Sequence, residues 1–489
     1  MSKNTTKRSL LASVFALVLC VAMLVGATFA WFTDTASTGV NKIVSGNLKV
    51  DIIGADSDSH IEKLNFTKAA ITDAEAGAEI LWEPGCRYLT EGFRIANKGN
   101  LALKWKAQVN TGTTVANEGN FDLLDVIDFY LVTKAADGTE TETALDVFTG
   151  NLKKTETSDV YYIKGVMQTT AGNDYQGLTL NGISITVVAT QDTVENDSFN
   201  NQYDKDAEYP ILVTSGDQLQ ATVNNATAPV NIVLANNITT NNFVIPADKD
   251  VTLDLNGRTV TNAGSHTILN KGHLTLTDSS TDKSGQIISL KGNTAALRNG
   301  DNAVCVVEGG TISRNGADGN TWHVVENFGK MTFNGGKVVL KNGNGFAITN
   351  GWNYFDPGAS TTHAVMEINA LELDTDSSGI KNCRYGDLTV NDVTVTSTGY
   401  WALSNDYLGT AVINGGTLTS NFFKAVSNGA AMTVNGGTFN GTEGLFVQSY
   451  ATSTVLNGGT FANMNVAALS SYVGTGHTAQ QSGTSVIIK

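Results

Sequence analysis

The stretch AAMTVNGGTFNG, residues 430–441, alternates apolar and polar side chains and is then broken by Asn-Gly-Gly. The same three residues occur at Asn334, Asn414 and Asn457, again after a short alternating run. Successive side chains of a strand point to opposite faces, and glycine permits bends that a Cβ would obstruct. These segments predict short strands, each with one apolar face, that end in sharp corners.

Segments of this kind repeat along the second half of the chain. Counted from Ala370 through Asp392, Gly415 and Gly436 to Gly458, the steps are 22, 23, 21 and 22 residues. Less regular segments before them bring the series to about nine. A repeat of about 22 residues that holds two or three short strands is typical of a β-solenoid, whose coils stack about 4.8 Å apart. The sequence predicts a parallel β-helix of about nine coils.

Two apolar positions recur in the aligned segments and are predicted to point inward. The residue before the Asn is Phe333, Ile368, Val390, Ile413, Val434 or Leu456, and the fourth residue after it is Val338, Leu373, Val395, Leu418, Phe439 or Phe461. A second register contains seven asparagines, and stacked amides can hydrogen-bond along a solenoid axis. We therefore predict an internal ladder of Asn270, Asn299, Asn327, Asn350, Asn382, Asn405 and Asn428.

The stretch SGDQLQATVNNA from Ser215 precedes the first coil. Serine is a favoured helix N-cap, and Leu219 and Val223 are four residues apart, the spacing of one helix face. Open strand edges at the end of a solenoid need a cover. We expect this segment to form a helix over the end of the rod.

The N-terminus has the features of a secretory signal peptide. Lys3, Lys7 and Arg8 precede an apolar run, and small residues precede a cleavage position between Ala30 and Trp31. Residues 1–30 are therefore predicted to be a signal peptide and the mature protein to be extracellular. The alternative is an uncleaved anchor, because the 23 residues of 10–32 are enough to span a bilayer.

Residues 31–208 lack the repeat and are more acidic than the rest. They hold 27 Asp and Glu against 14 Lys and Arg. Alternating runs such as GNLKVDII and GISITVVATQ, separated by Gly, Asn and Asp, predict an antiparallel sandwich of seven or eight strands. With the β-helix over residues 209–489, the expected fold class is all-β in two domains. The formal net charge of -15 does not suit a nucleic-acid partner.

Three segments of the first region resemble the TasA/camelysin family of secreted Gram-positive proteins. They are GATFAWFTDTASTGVNKIVSGNLKVDI (26–52), LWEPGCRYLTEGFRIANKGNLALKWK (81–106) and ITVVATQDTVENDSFNNQYD (185–204). Cys86 departs from the family, which commonly has an acidic residue there. The resemblance implies processing by a SipW-type signal peptidase and a jelly-roll domain that serves as a subunit of biofilm-matrix fibres or of a surface layer.

In such fibres the mature N-terminal segment can donate a strand to a neighbouring subunit. On this sequence the candidate donor segment is 31–50, and its marker residues are Trp31, Phe32, Asp34, Gly46, Leu48 and Val50. The alternative is that the segment pairs within its own domain. The partners that the resemblance implies are other copies of the chain or related matrix subunits.

Residues 209–489 resemble, in their coil pattern, the right-handed parallel β-helix superfamily of pectate lyases, polygalacturonases and many bacterial adhesins. Two functions follow as alternatives to a non-catalytic matrix or surface protein. One is a polysaccharide-cleaving enzyme, for which Asp374, Asp376 and Arg384 are the first acid/base candidates. The other is a monomeric glycan-binding adhesin, in which Trp352, Tyr354 and Phe355 stack on sugar rings or, alternatively, pack over the rod.

We expect no catalytic zinc and no catalytic residues. The first region contains only His60 and no HExxH motif, so a metallopeptidase site lacks its ligands. The acidic run QDTVENDSFNNQYDKDAE suggests calcium near Asp192, Glu195, Asp197 and Asp204, with a solvated acidic linker as the alternative. Cys86, Cys305 and Cys383 have no metal-site spacing and are expected to be free thiols, mostly buried.

Overall fold

The structure is a computed structural model, which describes residues 48–61, 64–67, 82–111, 113–115, 121–145, 147–181, 184–192, 209–262, 264–315, 322–352 and 362–489. The protein is 49% strand and 6% helix, which confirms the predicted all-β class. Within these ranges no helix is long and apolar enough to cross a membrane. The predicted signal peptide and its cleavage position, Ala30 and Trp31, lie outside the described residues.

The first part of the chain contains antiparallel strands. They are β1 (Val50–Gly54), β2 (Phe66–Thr67), β3 (Arg87–Thr90), β4 (Phe93–Asn97), β5 (Leu103–Asn110), β6 (Thr113–Thr114), β7 (Ile127–Lys134), β8 (Glu140–Ala144), β9 (Phe148–Leu152), β10 (Tyr161–Met167), β11 (Leu180–Asn181) and β12 (Ser184–Gln191). Short 3₁₀ turns lie at Leu123–Asp125 and Asn173–Tyr175.

These strands form an antiparallel half-barrel. In the larger sheet β10 lies between β7 and the pair β3 and β4, with β8, β2 and β1 outside them, and β5 lies between β12 and β9 in a second sheet. Phe93, Ile95, Trp105 and Ile163 fill the space between, and the Trp105 ring meets Phe148 edge-on at 5.6 Å. The antiparallel region expected from the alternating runs is therefore confirmed.

The second part is a β-solenoid with three parallel sheets. The first sheet contains β13 (Ile211–Val213), β14 (Val230–Leu234), β17 (Asp250–Asp254), β20 (His273–Thr277), β23 (Val304–Val307), β26 (Lys330–Phe333), β29 (Ala364–Ile368), β32 (Gly386–Val390), β35 (Thr410–Ile413), β38 (Ala431–Val434) and β41 (Ser453–Leu456). The second contains β15 (Ile238–Thr240), β18 (Thr259–Asn262), β21 (Gln286–Ser289), β24 (Thr311–Asn315), β27 (Lys337–Lys341), β30 (Glu372–Thr375), β33 (Thr394–Ser397), β36 (Thr417–Ser420), β39 (Thr438–Asn440) and β42 (Gly459–Phe461). The third contains β16 (Phe243–Ile245), β19 (Ile268–Asn270), β22 (Leu297–Asn299), β25 (Val325–Asn327), β28 (Phe346–Asn350), β31 (Ser378–Asn382), β34 (Leu403–Asn405), β37 (Val426–Asn428) and β40 (Leu445–Val447).

The solenoid has about ten coils, close to the predicted nine. The additional coil is the one formed by β14, β15 and β16, whose first corner at Asn236 lacks the glycine that marks most of the others. Both inward columns are confirmed. Phe333 pairs with Ile368 and the column continues to Leu456, while Val338 pairs with Leu373 and that column continues to Phe461.

The internal asparagine ladder is also confirmed. All seven asparagines are completely buried in the third sheet. Each of the first six donates its Nδ2 hydrogen to the Oδ1 of the next at 2.7–2.9 Å. The ladder ends where Asn428 donates to Thr454 Oγ1 at 2.8 Å. An amide both donates and accepts, so one residue type repeated in every coil satisfies each neighbour.

A second ladder runs along the corner between the first and second sheets. It includes the Asn residues of the Asn-Gly-Gly corners, Asn334, Asn414, Asn435 and Asn457, with Asn369 and Asn391 between them. The amide–amide distances are 2.7–2.9 Å. Asn414 and Asn435 are exposed, so this ladder, unlike the internal one, is open to water.

Both ends of the solenoid are covered. The predicted N-terminal helix is α1 (Gly216–Asn225), capped by Ser215, with Leu219 and Val223 fully buried. From α1, the Gln220 amide donates to Val244 O at 2.9 Å and accepts from Val244 N at 2.8 Å, which occupies the open edge of β16. At the other end, α2 (Val466–Leu469), a 3₁₀ turn at Ser470–Tyr472 and a hairpin of β43 (Ala479–Ser482) and β44 (Ser485–Ile488) follow the last coil, and β44 pairs antiparallel with β42.

The change from antiparallel to parallel pairing falls between β12 and β13, on either side of the predicted boundary at residue 208. A small cluster of Val188, Leu212, Val233 and Ala235 joins the two regions. All three cysteines of the described chain are free. Burial raises the pKa of Cys305 and of Cys383 to about 12, so both are neutral thiols at physiological pH.

Breaking the internal ladder should cost more than breaking the exposed one. Asn382→Ala removes the amide that accepts from Asn350 and donates to Asn405, and it leaves their polar atoms buried. We expect a loss of roughly 2–4 kcal/mol in unfolding free energy, seen as a lower urea midpoint. The matched control is Asn414→Ala in the exposed ladder, for which water replaces the lost bonds and the loss stays below about 1 kcal/mol. Equal losses would contradict the assigned role of burial.

Two histidines make stability depend on pH. Burial lowers the pKa of His266 and of His323 to about 4, and the Nδ1 of His323 accepts a hydrogen from Phe346 N at 3.1 Å. Between pH 6.5 and 4 the unfolded chain binds protons that the folded chain excludes, so stability falls as the pH is lowered. The loss per histidine is at most about 1.4 kcal/mol for each pH unit in that window.

We therefore expect His323→Gln to reduce the drop in melting temperature between pH 7 and pH 4.5. The control is His273→Gln, since His273 is exposed on the first sheet. Thermal unfolding followed by circular dichroism at several pH values measures both. A pH dependence of the His323→Gln variant identical to that of the parent protein would show that His323 does not contribute.

Candidate functional site

The third sheet presents its outer face through the middle residues of its short strands. Lys381, Ser404, Ser427 and Phe446 occupy one register position in four successive coils. Their neighbours on either side along each strand lie in the core. Because side chains alternate along a strand, these four point away from the core. This column forms the floor of the most aromatic surface of the solenoid.

Phe446 of this column and three further aromatic rings contact one another, and we call the four the aromatic band: Tyr400, Trp401, Phe423 and Phe446. The Trp401 ring meets Phe423 edge-on at 4.5 Å and is stacked on Phe446 at 6.1 Å with an interplanar angle of 22°. The Tyr400 ring lies 6.0 Å from Phe423. The rings therefore support one another across three coils.

The part of the sequence that holds the band also contains exposed aromatic residues. The four aromatic side chains classed as exposed there are Tyr400 at 58%, Tyr407 at 49%, Phe422 at 72% and Tyr450 at 57%, and all fall between positions 400 and 450. Single exposed apolar residues are ordinary, but a cluster of aromatic ones marks an interaction surface. The band and its exposed neighbours are therefore the leading candidate site.

Charges beside the band are paired. Lys381 lies 3.0 Å from Asp406, and Lys424 lies 3.2 Å from Glu443. The Lys424 ammonium also sits 3.5 Å from the centroid of the Phe446 ring, a cation–π contact. Gln448 contributes a neutral amide that donates to Ser427 Oγ, whereas Ser404, which donates to Asp406, and Ser427 are themselves buried. The surface is therefore aromatic and polar with little net charge.

Nearer the N-terminus, the outer face of the same sheet carries a cluster of polar side chains that bind one another. The buried Glu326 carboxylate accepts from Trp322 Nε1 at 2.9 Å and from Arg298 at 2.9 Å. The Arg298 guanidinium lies over the Phe328 ring at 4.5 Å. These groups satisfy one another, so this cluster stabilises the sheet and offers a ligand few free groups.

The predicted acid/base residues are not brought together. Asp374 pairs with Lys341 at 2.7 Å on the second sheet, and Asp376 accepts from the Asn342 backbone at 2.6 Å. Arg384 follows β31 and donates to Tyr385 Oη at 3.0 Å. Asp376 precedes β31 and Arg384 follows it, so this five-residue strand, about 16 Å long, separates them.

Of the three predicted glycan contacts, the structure describes Trp352. Its ring is half-buried and packs against Phe328 at 4.5 Å, and its backbone forms an isolated bridge with Arg384. Tyr354 and Phe355 lie outside the described residues. Trp352 therefore packs against the rod. The Nε1–H group of its ring is buried without a hydrogen-bond partner among the described residues.

The candidate donor segment is described only at its end. Leu48 is exposed, and Val50 begins β1, which pairs with β4 of the same chain from Val50 opposite Asn97. The backbone of Lys49 also accepts from Lys98 N at 2.7 Å. Trp31, Phe32, Asp34 and Gly46 lie outside the described residues. Within the described residues, pairing with the same chain is present from Lys49 onward.

The structure describes one of the four residues predicted to lie near calcium. Asp192 is buried, and its carboxylate accepts from Asn151 Nδ2 at 2.7 Å. Glu195, Asp197 and Asp204 lie outside the described residues. In the part of the chain that the structure describes, no group of three His, Cys, Asp or Glu side chains is placed to hold a metal ion.

The sequence contains a signal for the aromatic band that the repeat analysis passed over. Trp401 and Phe423 are 22 residues apart, which is the coil period, whereas the strand register places Phe446 opposite Ser427, 19 residues before it. Residues one period apart stack on the same side of a solenoid. Searching the outward positions for this period, and not only the inward ones, finds Trp401 and Phe423 but not Phe446, which follows a shorter coil. Comparison of the chain with protein-family models, curated proteins and solved structures found no match.

Proposed function

We propose that this chain is a secreted, non-catalytic cell-surface or extracellular-matrix protein whose solenoid binds a polysaccharide through the aromatic band. The observation that carries the proposal is the set of ring contacts that joins Trp401, Phe423, Phe446 and the exposed Tyr400 on the outside of the solenoid. Aromatic rings offer flat apolar surfaces for the C–H faces of sugars, and nearby polar groups pair with hydroxyls.

The charge distribution favours a polymer with little charge at the band. The lysines there are neutralised by Asp406 and Glu443, and the whole chain carries a formal charge of -15. An acidic surface repels polyanions. The three coils from Trp401 to Phe446 extend about 10 Å along the axis, enough for an extended chain to contact more than one ring.

A polysaccharide-cleaving enzyme is the alternative function. Cleavage by acid/base chemistry needs its groups close to one bond. The strand between Asp376 and Arg384 keeps those candidates apart, and Asp374 is held by Lys341 on another face. These positions favour binding over cleavage among the residues that we considered.

The N-terminal half-barrel supplies assembly or anchoring in this proposal. Its support is the likeness of residues 26–52, 81–106 and 185–204 to secreted TasA/camelysin subunits, together with the signal-like N-terminus. Strand donation joins subunits by pairing the backbone of one chain with an open edge of another. The half-barrel would hold the protein in the matrix while the solenoid binds glycan.

Trp401→Ala should weaken polysaccharide binding without unfolding the solenoid. Removing the central ring breaks its edge-on contact with Phe423 and its stacking on Phe446, and we expect about a tenfold rise in the dissociation constant, or about 1.4 kcal/mol. Affinity electrophoresis in gels that contain neutral polysaccharides such as xylan or glucan selects the ligand, and titration calorimetry then measures affinity.

The matched control is Thr419→Ala, an outward residue of the second sheet away from the band. It should bind like the parent protein. Absence of binding to every neutral polysaccharide by the parent, or unchanged binding by Trp401→Ala, would overturn the proposal. Release of reducing ends from a bound polysaccharide would instead favour the enzyme.

Assembly should depend on residues before Leu48. The comparison is chain 31–489 with chain 48–489, because a later start would remove Lys49 and Val50, which pair with this chain's own β4. We expect filaments in electron micrographs of the first and monomers of the second. Filaments from both would disprove strand donation by this segment, and monomers from both would favour the monomeric adhesin.

A further inference from the structure

The corner between β31 and β32 brings together two side chains that belong to different coils. Trp352 N donates to Arg384 O at 2.9 Å, and the two residues form an isolated antiparallel bridge. Residues directly opposite in such a bridge have Cβ atoms about 4.5–5.5 Å apart on the same side. The side chains of Trp352 and Arg384 therefore project from the corner next to each other.

Each of these side chains carries a buried donor that has no acceptor. Trp352 Nε1 and Arg384 Nε are both shielded from solvent, and neither finds a hydrogen-bond partner in the chain as described. A buried N–H group without an acceptor costs about 1–3 kcal/mol and is uncommon in folded proteins. Two such donors on neighbouring side chains indicate a place for an external acceptor.

The charge of Arg384 is also unbalanced. Among the described residues no carboxylate lies within ion-pair distance of its guanidinium, whereas Arg298 on the same sheet is paired with Glu326. The nearby Asp387 carboxylate is held by His363 Nδ1 at 2.9 Å. An arginine with no counter-charge among the described side chains, in a chain of net charge -15, is a cation available to a ligand.

The corner holds the guanidinium in a fixed orientation. The guanidinium lies over the Tyr385 ring at 4.7 Å and donates to its hydroxyl at 3.0 Å. Tyr385 adopts φ of +58°, a left-handed conformation that costs a residue with a Cβ about 1 kcal/mol or more. Gly351 approaches so closely that a Cβ there would lie 2.6 Å from Arg384 O. Such strain persists only where the surroundings enforce it.

We propose that Trp352 and Arg384 form a binding site for an oxyanion, the carboxylate or phosphate group of an extracellular ligand. One oxygen would accept from Trp352 Nε1 and from Arg384 Nε, and the guanidinium would neutralise the charge, since arginine binds carboxylate and phosphate through paired N–H groups. The site is separate from the aromatic band and does not depend on it. It gives the protein a means of recognising acidic substituents that the band lacks.

The test follows the indole N–H resonance of Trp352 in the mature chain 31–489 labelled with ¹⁵N-tryptophan. Six tryptophans give a simple spectrum, and Trp352→Phe assigns the resonance while it keeps the packing on Phe328. Sodium phosphate, sodium glucuronate and a polyglucuronate are titrated at constant ionic strength. We expect saturable shifts of the Trp352 signal with at least one of them.

Arg384→Gln should raise the dissociation constant at least tenfold and Arg384→Lys by less, because lysine retains charge but not the planar N–H pair. The control is Lys330→Gln, an exposed lysine on the first sheet, which should titrate like the parent. Saturation by phosphate alone assigns a free anion, and tighter binding of polyglucuronate assigns a polymer substituent.

No saturable shift with any of the three anions, or equal shifts in Arg384→Gln, would overturn the site. Circular dichroism of each variant confirms that the solenoid is folded. If the two sites are independent, Trp401→Ala leaves the anion titration unchanged. Loss of glycan binding and loss of anion binding can then be distinguished.

Discussion

The stacking of parallel coils about 4.8 Å apart is the constraint on which this molecule depends. At that spacing each side chain lies directly on its equivalent in the next coil, so a buried position must tolerate its own copy as a neighbour. Aliphatic residues do so by packing, and asparagine does so by donating to and accepting from the next amide. The columns from Phe333 to Leu456 and from Asn270 to Asn428 are the two solutions used here.

Because the buried positions repeat from coil to coil, the coils differ from one another mainly at their outward positions and corners. The aromatic band and the corner at Arg384 both consist of residues that depart from the pattern of Thr, Ser and Asn found on the other coils. Most corners carry glycine or asparagine where backbone strain is small, but the corners after β31 and β34 carry Tyr385 and Leu408 in left-handed conformations. Departures that cost stability and cluster on one side are more informative about function than the repeat itself.

The sequence predicted the interior well, for a physical reason. Period and polarity together determine which residues of a solenoid point inward, so the apolar columns, the asparagine ladder and the Ser215 cap followed from spacing alone. The C-terminal hairpin did not, since Val486 and Ile488 lie beyond the repeat and pair antiparallel with the last coil. The separation of Asp376 from Arg384 was not predicted either. The two residues are close in sequence, but the extended strand β31 lies between them and holds them at different corners.

The two candidate sites occupy neighbouring coils, and this restricts what a single ligand would need to have. Arg384 follows β31 and Trp401 precedes β34, which pairs with β31, so the corner and the first ring of the band differ by one coil, about 4.8 Å, along the axis and by the length of a strand across the sheet. A polymer that used both would present flat, largely uncharged rings to the band and one acidic group near its end. A purely neutral chain would leave Arg384 unpaired, and a uniformly anionic chain would meet Asp406 and Glu443 beside the rings. If both proposed sites bind one ligand, the arrangement would favour a polymer in which acidic substituents are sparse.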